Sequence, residues 1–161
     1  MSDPLRIPLD RFAGISDRVM GGISRETVRL ETADGRSWLR LTGEVRLEND
    51  GGFIQMGADL APHGGPVDLS AYAGVRLVVR GNGERYGCHL RTSACRRPWQ
   101  SYRHAFLAPA DPVALALPFA AFAPHRVEEP LDAARLRRIA LVAIGRAFTA
   151  DLAVAEVAFH A

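Results

Sequence analysis

The stretch that most constrains this chain is residues 39–56, LRLTGEVRLENDGGFIQM. Leu39, Leu41, Gly43, Val45 and Leu47 alternate with Arg40, Thr42, Glu44 and Arg46. Successive side chains of a strand point to opposite faces, so this pattern predicts a strand with one dry face and one wet face. Glu48-Asn49-Asp50-Gly51-Gly52 then breaks the alternation with residue types that tolerate positive φ, which predicts a tight turn. Phe53, Ile54 and Met56 resume an apolar strand. The expectation is an antiparallel hairpin whose dry face is covered by a second sheet.

The same pattern recurs along the chain. Leu5, Ile7 and Leu9 alternate around Pro8, as in a short edge strand. Residues 27–31 form a strand before the turn Asp34-Gly35, and residues 75–79 form another before Gly81-Asn82-Gly83, a hairpin signal. Further strands are expected at residues 86–92, 102–107, 113–117 and 152–159. Residues 139–144 are continuously apolar and short, which fits a strand covered on both sides. About ten short strands separated by turn residues, with little helix, predict an all-β fold, an antiparallel jelly-roll β-sandwich. With 161 residues, one domain spanning residues 1–161 is expected.

Charge and composition narrow the function. The net charge is +2 and the 20 basic residues, all Arg, are scattered among 18 acidic ones, so no nucleic-acid partner is expected. The longest apolar stretch, residues 113–123, is too short to span a bilayer and contains Pro118, so no membrane insertion is expected. Met1-Ser2-Asp3-Pro4 opens the chain without an apolar run behind it, and Cys88 and Cys95 lack a CxxC partner. A cytoplasmic protein with reduced thiols is the expectation.

No catalytic constellation stands out. Val19-Met20-Gly21-Gly22 is not the GxGxxG of a dinucleotide fold, no P-loop is present, and Ser24 is not in a GxSxG elbow. His63, His89, His104, His125 and His160 have no metal-binding spacing. Neither cofactor nor metal is expected. Two sets of residues remain as candidates for ligand or partner contact. Asp17, Arg18, Asn49 and Asp50 flank the two Gly-Gly turns, where backbone hydrogen bonding is the structural alternative. His89, Arg91, Tyr102 and His104 share one sheet face if residues 86–92 pair with residues 102–107 so that His89 lies opposite His104 and Arg91 opposite Tyr102, with Trp99 at the rim. A solvated outer face is the structural alternative there.

Several motifs carry a family resemblance. Ser16-Asp17-Arg18-Val19-Met20-Gly21-Gly22-Ile23-Ser24 resembles the NDxVMGGxS signature of the mitochondrial complex I intermediate-associated protein family. Residues 43–53, GEVRLENDGGF, are similar to its FxGxxSLENNGGF motif. Asp68-Leu69-Ser70-Ala71-Tyr72-Ala73-Gly74-Val75, Gly81-Asn82-Gly83-Glu84-Arg85-Tyr86 and Pro118-Phe119-Ala120-Ala121-Phe122 resemble further family elements in the same order. Ser16 stands where the family usually has Asn, and Asn82 where it has Asp.

The resemblance implies a galactose-binding-like jelly roll. It also implies a role like that of the best-known members, which hold intermediates of respiratory complex I without becoming subunits. The expected function is therefore a non-catalytic module that engages a protein partner, as an assembly factor or chaperone for a respiratory or redox complex. A carbohydrate-binding module is the alternative, suggested by the jelly-roll class and the grouping of His89, Arg91, Trp99, Tyr102 and His104. A nucleotide-dependent oxidoreductase is a third reading that no residue supports.

Overall fold

A computed structural model describes residues 4–161, with Asp50 described by its backbone alone; Met1, Ser2 and Asp3, read above as a polar opening, lie outside the described residues. Among the described residues twelve strands form two antiparallel sheets, and helical structure is limited to short 3-10 turns. In sheet A the order is β3 (Arg25–Ala33), β4 (Arg36–Val45), β12 (Phe148–His160), β6 (Gly74–Gly81) and β9 (Val113–Pro118), with β1 (Leu5–Arg6) also on β12. In sheet B it is β10 (Ala123–His125), β8 (Ser101–Leu107), β7 (Arg85–Thr92), β11 (Leu136–Ile144), β5 (Phe53–Asp59) and β2 (Ala13–Ser16). This is the antiparallel sandwich that the alternation predicts.

Alternation builds the core from both sides. Leu41, Val45, Leu77, Val79, Leu152 and Phe159 of sheet A are buried in one cluster with Ile54, Met56, Cys88, Leu90, Tyr102, Ile139 and Leu141 of sheet B. Strand β11 is covered on both faces, as its apolar run predicts: Ile139, Leu141 and Ala143 point inward, yet Ala140 and Val142 are also buried. Strand β12 is long enough to need a correction of phase. Val154 pairs with Val79 but Glu156 with Val78, so one residue is extra. The bulge lets Val154 and Val157, three apart, both face the core.

Two expected hairpins are not hairpins. Strand β4 pairs with β3 and β12, whereas β5 pairs with β11 and β2, so residues 46–52 carry the chain from sheet A to sheet B. Leu47, expected on the dry face, is exposed on that connection. Likewise Gly81-Asn82-Gly83 leads from β6 in sheet A to β7 in sheet B. Asn82 secures this crossing: its amide donates to Thr149 O at 2.9 Å, and it accepts from the Tyr86 hydroxyl at 2.7 Å, which itself accepts from Asp151 N at 2.9 Å. Positive-φ residues permit a sharp reversal, but whether the next strand pairs beside the last or across the sandwich depends on which layer has room. Asp34-Gly35 (φ 54° and 76°) does close a two-residue hairpin, with Ala33 opposite Arg36.

Leu141→Ala empties a fully buried site in the middle of sheet B. It is expected to lower the unfolding free energy by about 2–5 kcal/mol. Leu30→Ala, at an exposed position of β3, is expected to change it by less than about 0.5 kcal/mol in the same urea titration.

Candidate functional site

The two Gly-Gly motifs meet at one carboxylate. Ser16 caps the 3-10 turn Asp17–Met20 by accepting from Arg18 N, and Gly21 ends the turn in the left-handed region at φ 88°. This aims Asp17 inward, where it is fully buried. Its Oδ1 accepts from Ser24 N at 2.9 Å. Its Oδ2 accepts from Ser24 Oγ at 2.5 Å, from Gly52 N at 2.6 Å and from Phe53 N at 3.2 Å. Ser24 Oγ in turn accepts from Arg46 N at 2.8 Å. One side chain thus ties the loop of residues 17–24 to the crossing of residues 46–53.

The glycines make room for it. A Cβ on Gly22 or on Gly51 would lie 2.5 Å from atoms of the Asp17 carboxyl group, far inside contact distance. Burial pushes the Asp17 carboxyl up, but the hydrogen bonds from Ser24, Gly52 and Phe53 outweigh it and hold the group below the ordinary value of 3.8. Asp17 is therefore an ionised, fully occupied anchor and not an open ligand contact. The expectation that it touches a partner is corrected by its burial.

The anchored loops expose apolar side chains. Val19 is 73% and Met20 62% exposed, and Ile23 and Leu47 are exposed as well. Around them Arg18 pairs with Glu26 at 3.4 Å and Arg46 with Glu48 at 2.6 Å. Asn49 is exposed with φ 57°, while the Asp50 side chain lies outside the described residues. Residue typing singled out the polar members of these loops and missed Val19, Met20, Ile23 and Leu47. The signal was there: a Val-Met pair directly before Gly-Gly in a turn has no strand or helix phase to bury it.

The second candidate set is split by register. Strands β7 and β8 pair as expected, but with Cys88 opposite His104, His89 opposite Arg103 and Leu90 opposite Tyr102. That is one residue away from the expected pairing, and a one-residue slip exchanges faces. Tyr102 points into the core, where its hydroxyl donates to Glu129 O at 2.7 Å. His104 is set against Phe122, with ring centroids 5.5 Å apart. Burying Tyr102 and Phe106 beside Tyr86, Cys88 and Leu90 decides the register. His89 and Arg91 stay on the outer face, and Arg103 joins them.

Arg91 is spent on structure: it donates to Arg97 O and Pro98 O at 3.0 Å, and to Gln100 O and Cys95 O at 3.3 Å. It thereby holds the loop that exposes Trp99. Burial, followed by the charges of Arg103 and His125, pushes His89 down to about 3, so its ring is neutral at physiological pH. Cys88 and Cys95 are both free and buried, and burial pushes the Cys88 thiol up. No group of three or more potential metal ligands converges among the described residues, and no helix there is long and apolar enough to cross a membrane.

Comparison with known proteins now places the chain. The family model described as "Complex I intermediate-associated protein 30 (CIA30)" matches residues 5–154. The chain belongs to this family. The match contains both Gly-Gly loops and the Asp17 anchor. A search of curated proteins finds no match. Among solved structures, the chain is similar to a family 11 carbohydrate-binding module from Clostridium thermocellum in complex with a beta-1,3-1,4-mixed-linked tetrasaccharide. The identity is 10%, with 98% of this chain and 95% of that one covered and a TM-score of 0.75. It is similar also to a family 30 carbohydrate-binding module, at 12% identity, 99% of each chain and a TM-score of 0.68. An exo-beta-agarase matches at 9% identity, over 99% of this chain and 25% of its own, with a TM-score of 0.65. These likenesses establish the fold: a galactose-binding-like β-sandwich of the kind found in carbohydrate-binding modules.

Because Asp17 has a depressed folded-state pKa, its contribution to stability is complete above pH 3.8 and is lost as the pH falls from there through the lower folded value. Asp17→Asn leaves buried N–H donors without a carboxylate and is expected to cost roughly 2–5 kcal/mol at pH 7. It is also expected to flatten the loss of stability toward acid, measured by chemical denaturation at a series of pH values. Gly51→Ala is expected to destabilise as well, by driving a Cβ into the carboxylate.

Proposed function

We propose that this protein is a single, non-catalytic β-sandwich module that engages a protein partner in the cytoplasm, as an assembly factor or chaperone for a respiratory or redox complex. The observation that carries the proposal is the exposure of Val19, Met20, Ile23 and Leu47 on loops tied together through Asp17. Exposed apolar side chains on a rigid support suit protein association, because little conformational freedom remains to be lost on docking. Arg18, Arg46, Glu48 and Asn49 supply a polar rim. The family description, which names association with a complex I intermediate, agrees with this reading. A non-catalytic role is supported by the side chains that chemistry would draw on. Asp17 has its oxygens occupied, the Cys88 thiol is buried, and His89 is held neutral. Two free cysteines support a reducing compartment.

A carbohydrate-binding role is the second reading. It is favoured by the likeness to carbohydrate-binding modules and by Trp99, 52% exposed on the loop that joins β7 to β8, where an aromatic face suits a sugar ring. The burial of Tyr102 removes the other aromatic residue expected there.

The tagged full chain is expected to recover a stoichiometric partner from its source cell. The double variant Val19→Ser/Met20→Ser is expected to lose that partner while keeping the wild-type melting temperature. Equal recovery by the variant, or no partner under gentle conditions, would count against the proposal. For the second reading, a glycan array is expected to show binding that Trp99→Ala abolishes; an array without hits removes that reading.

A further inference from the structure

The two outer faces of the sandwich treat charge differently. On sheet A, Arg6, Arg40 and Arg76 meet carboxylates, and Arg36 and Arg80 lie over the Trp38 ring. Glu156 holds Arg6 at 2.7 Å and Arg76 at 2.8 Å, beside a hollow of about 400 Å³. Asp151 accepts from Nε and Nη2 of Arg40 at 2.8 and 2.7 Å. On sheet B, Arg103 lies opposite His89 of β7 and opposite Ala123 of β10. Its Nε donates to Ser101 Oγ at 2.9 Å, and among the described residues no carboxylate pairs with it. Among the described residues, Nη1 and Nη2 of the guanidinium make no hydrogen bond or ion pair.

One further positive charge, that of Arg126, and the uncharged His125 lie toward the same end of β10. His125 lies opposite Ser101, and Arg126 follows with φ 56° and an exposed side chain. Burial and then the charge of Arg126 hold Arg103 below its ordinary value, and burial, Arg103 and Arg126 hold His125 low. From β11, Arg138 is already neutralised by Asp59 of β5 at 3.1 Å, and Arg91 of β7 is bound to carbonyls. Between them the sheet carries small residues: Gly87 opposite Ala105, and Ala140 opposite both His89 and Gly57. The His89 ring lies low over Gly87, where a Cβ would be 3.0 Å from its Nε2. A half-buried cation such as Arg103, without a counter-charge among the described residues, costs energy that an anion would recover.

We propose that the outer face of β7, β8 and β10 is an oxyanion site, in which Arg103 and Arg126 hold a carboxylate or phosphate group flanked by His89 and His125. The open end of Arg103 presents two parallel N–H donors, a fork that matches two oxygens of one oxyanion. The site is remote in the chain from the Gly-Gly loops and does not rest on either reading of the protein's function.

The test is a titration of the full chain with inorganic phosphate and, separately, with galacturonate. The His89 and His125 ring signals are followed by NMR, with galactose as the uncharged control and sodium chloride at matched ionic strength. Saturable shifts are expected with at least one oxyanion and none with galactose. Arg103→Gln is expected to weaken binding about tenfold or more, the loss that follows from one charge-assisted hydrogen bond. Arg126→Gln, which alters an exposed side chain, is expected to weaken binding too, and it decides the matter if Arg103→Gln does not fold. Arg76→Gln on sheet A is expected to change nothing. The tighter of the two oxyanions identifies the group as phosphate or carboxylate. Shifts no larger than those with chloride, or binding that survives both Arg103→Gln and Arg126→Gln, would overturn the proposal.

Discussion

One buried carboxylate ties together two of the places where the chain crosses between the sheets, from β2 to β3 and from β4 to β5. Asp17 accepts twice from Ser24 at the far end of its own loop and once each from Gly52 and Phe53 where β5 begins, four hydrogen bonds in all. A buried charge is expensive unless its oxygens are satisfied, and here backbone N–H groups and a serine hydroxyl do so. The consequence reaches well beyond the loops. The position of Gly52 and Phe53 sets where β5 begins, and β5 in turn carries Ile54 and Met56 into the core and pairs with β11.

The same anchor explains an apparent waste of apolar surface. A loop stretched over a sandwich would gain by folding Val19 and Met20 back onto the protein. With Asp17 held from the inside and Gly22 pressed against it, the turn has no freedom to do so, and both side chains stand in solvent. The buried ion and the exposed apolar groups are thus two sides of one arrangement.

Elsewhere the sandwich separates its tasks by face. The inner faces are apolar and closely matched. The outer face of sheet A is covered by ion pairs and by Trp38, buried beneath Arg80 at 4.4 Å from the ring centroid. The outer face of sheet B pairs Arg138 with Asp59 but leaves Arg91 to backbone carbonyls and Arg103 to a serine. Family membership fits a shared fold and shared loops, whereas the likeness to carbohydrate-binding modules at 10–12% identity concerns the fold alone.

Much of this was legible before any coordinates. Alternation in residues 39–45 marks a half-buried strand because side-chain direction has a period of two whatever the strand's partner. The apolar run of residues 139–144 marks a doubly covered strand, and the Gly-Gly motifs mark turns, because these are local consequences of side-chain shape and backbone freedom. Partners are not local. The sequence alone could not show that residues 46–52 and Gly81-Asn82-Gly83 cross between layers, since a sharp reversal serves a crossing as well as a hairpin. Nor could it choose between two registers of β7 and β8 one residue apart; that choice followed from burying Tyr102 and Phe106 together. Asp17 was visible as a turn residue, but its role as anchor depends on N–H groups some 35 positions away in the chain. What the sequence determined was the class of fold and the places where the chain bends. What only the tertiary structure decided was which polar groups are spent inside and which remain outside, because burial and hydrogen bonding depend on distant segments brought into contact.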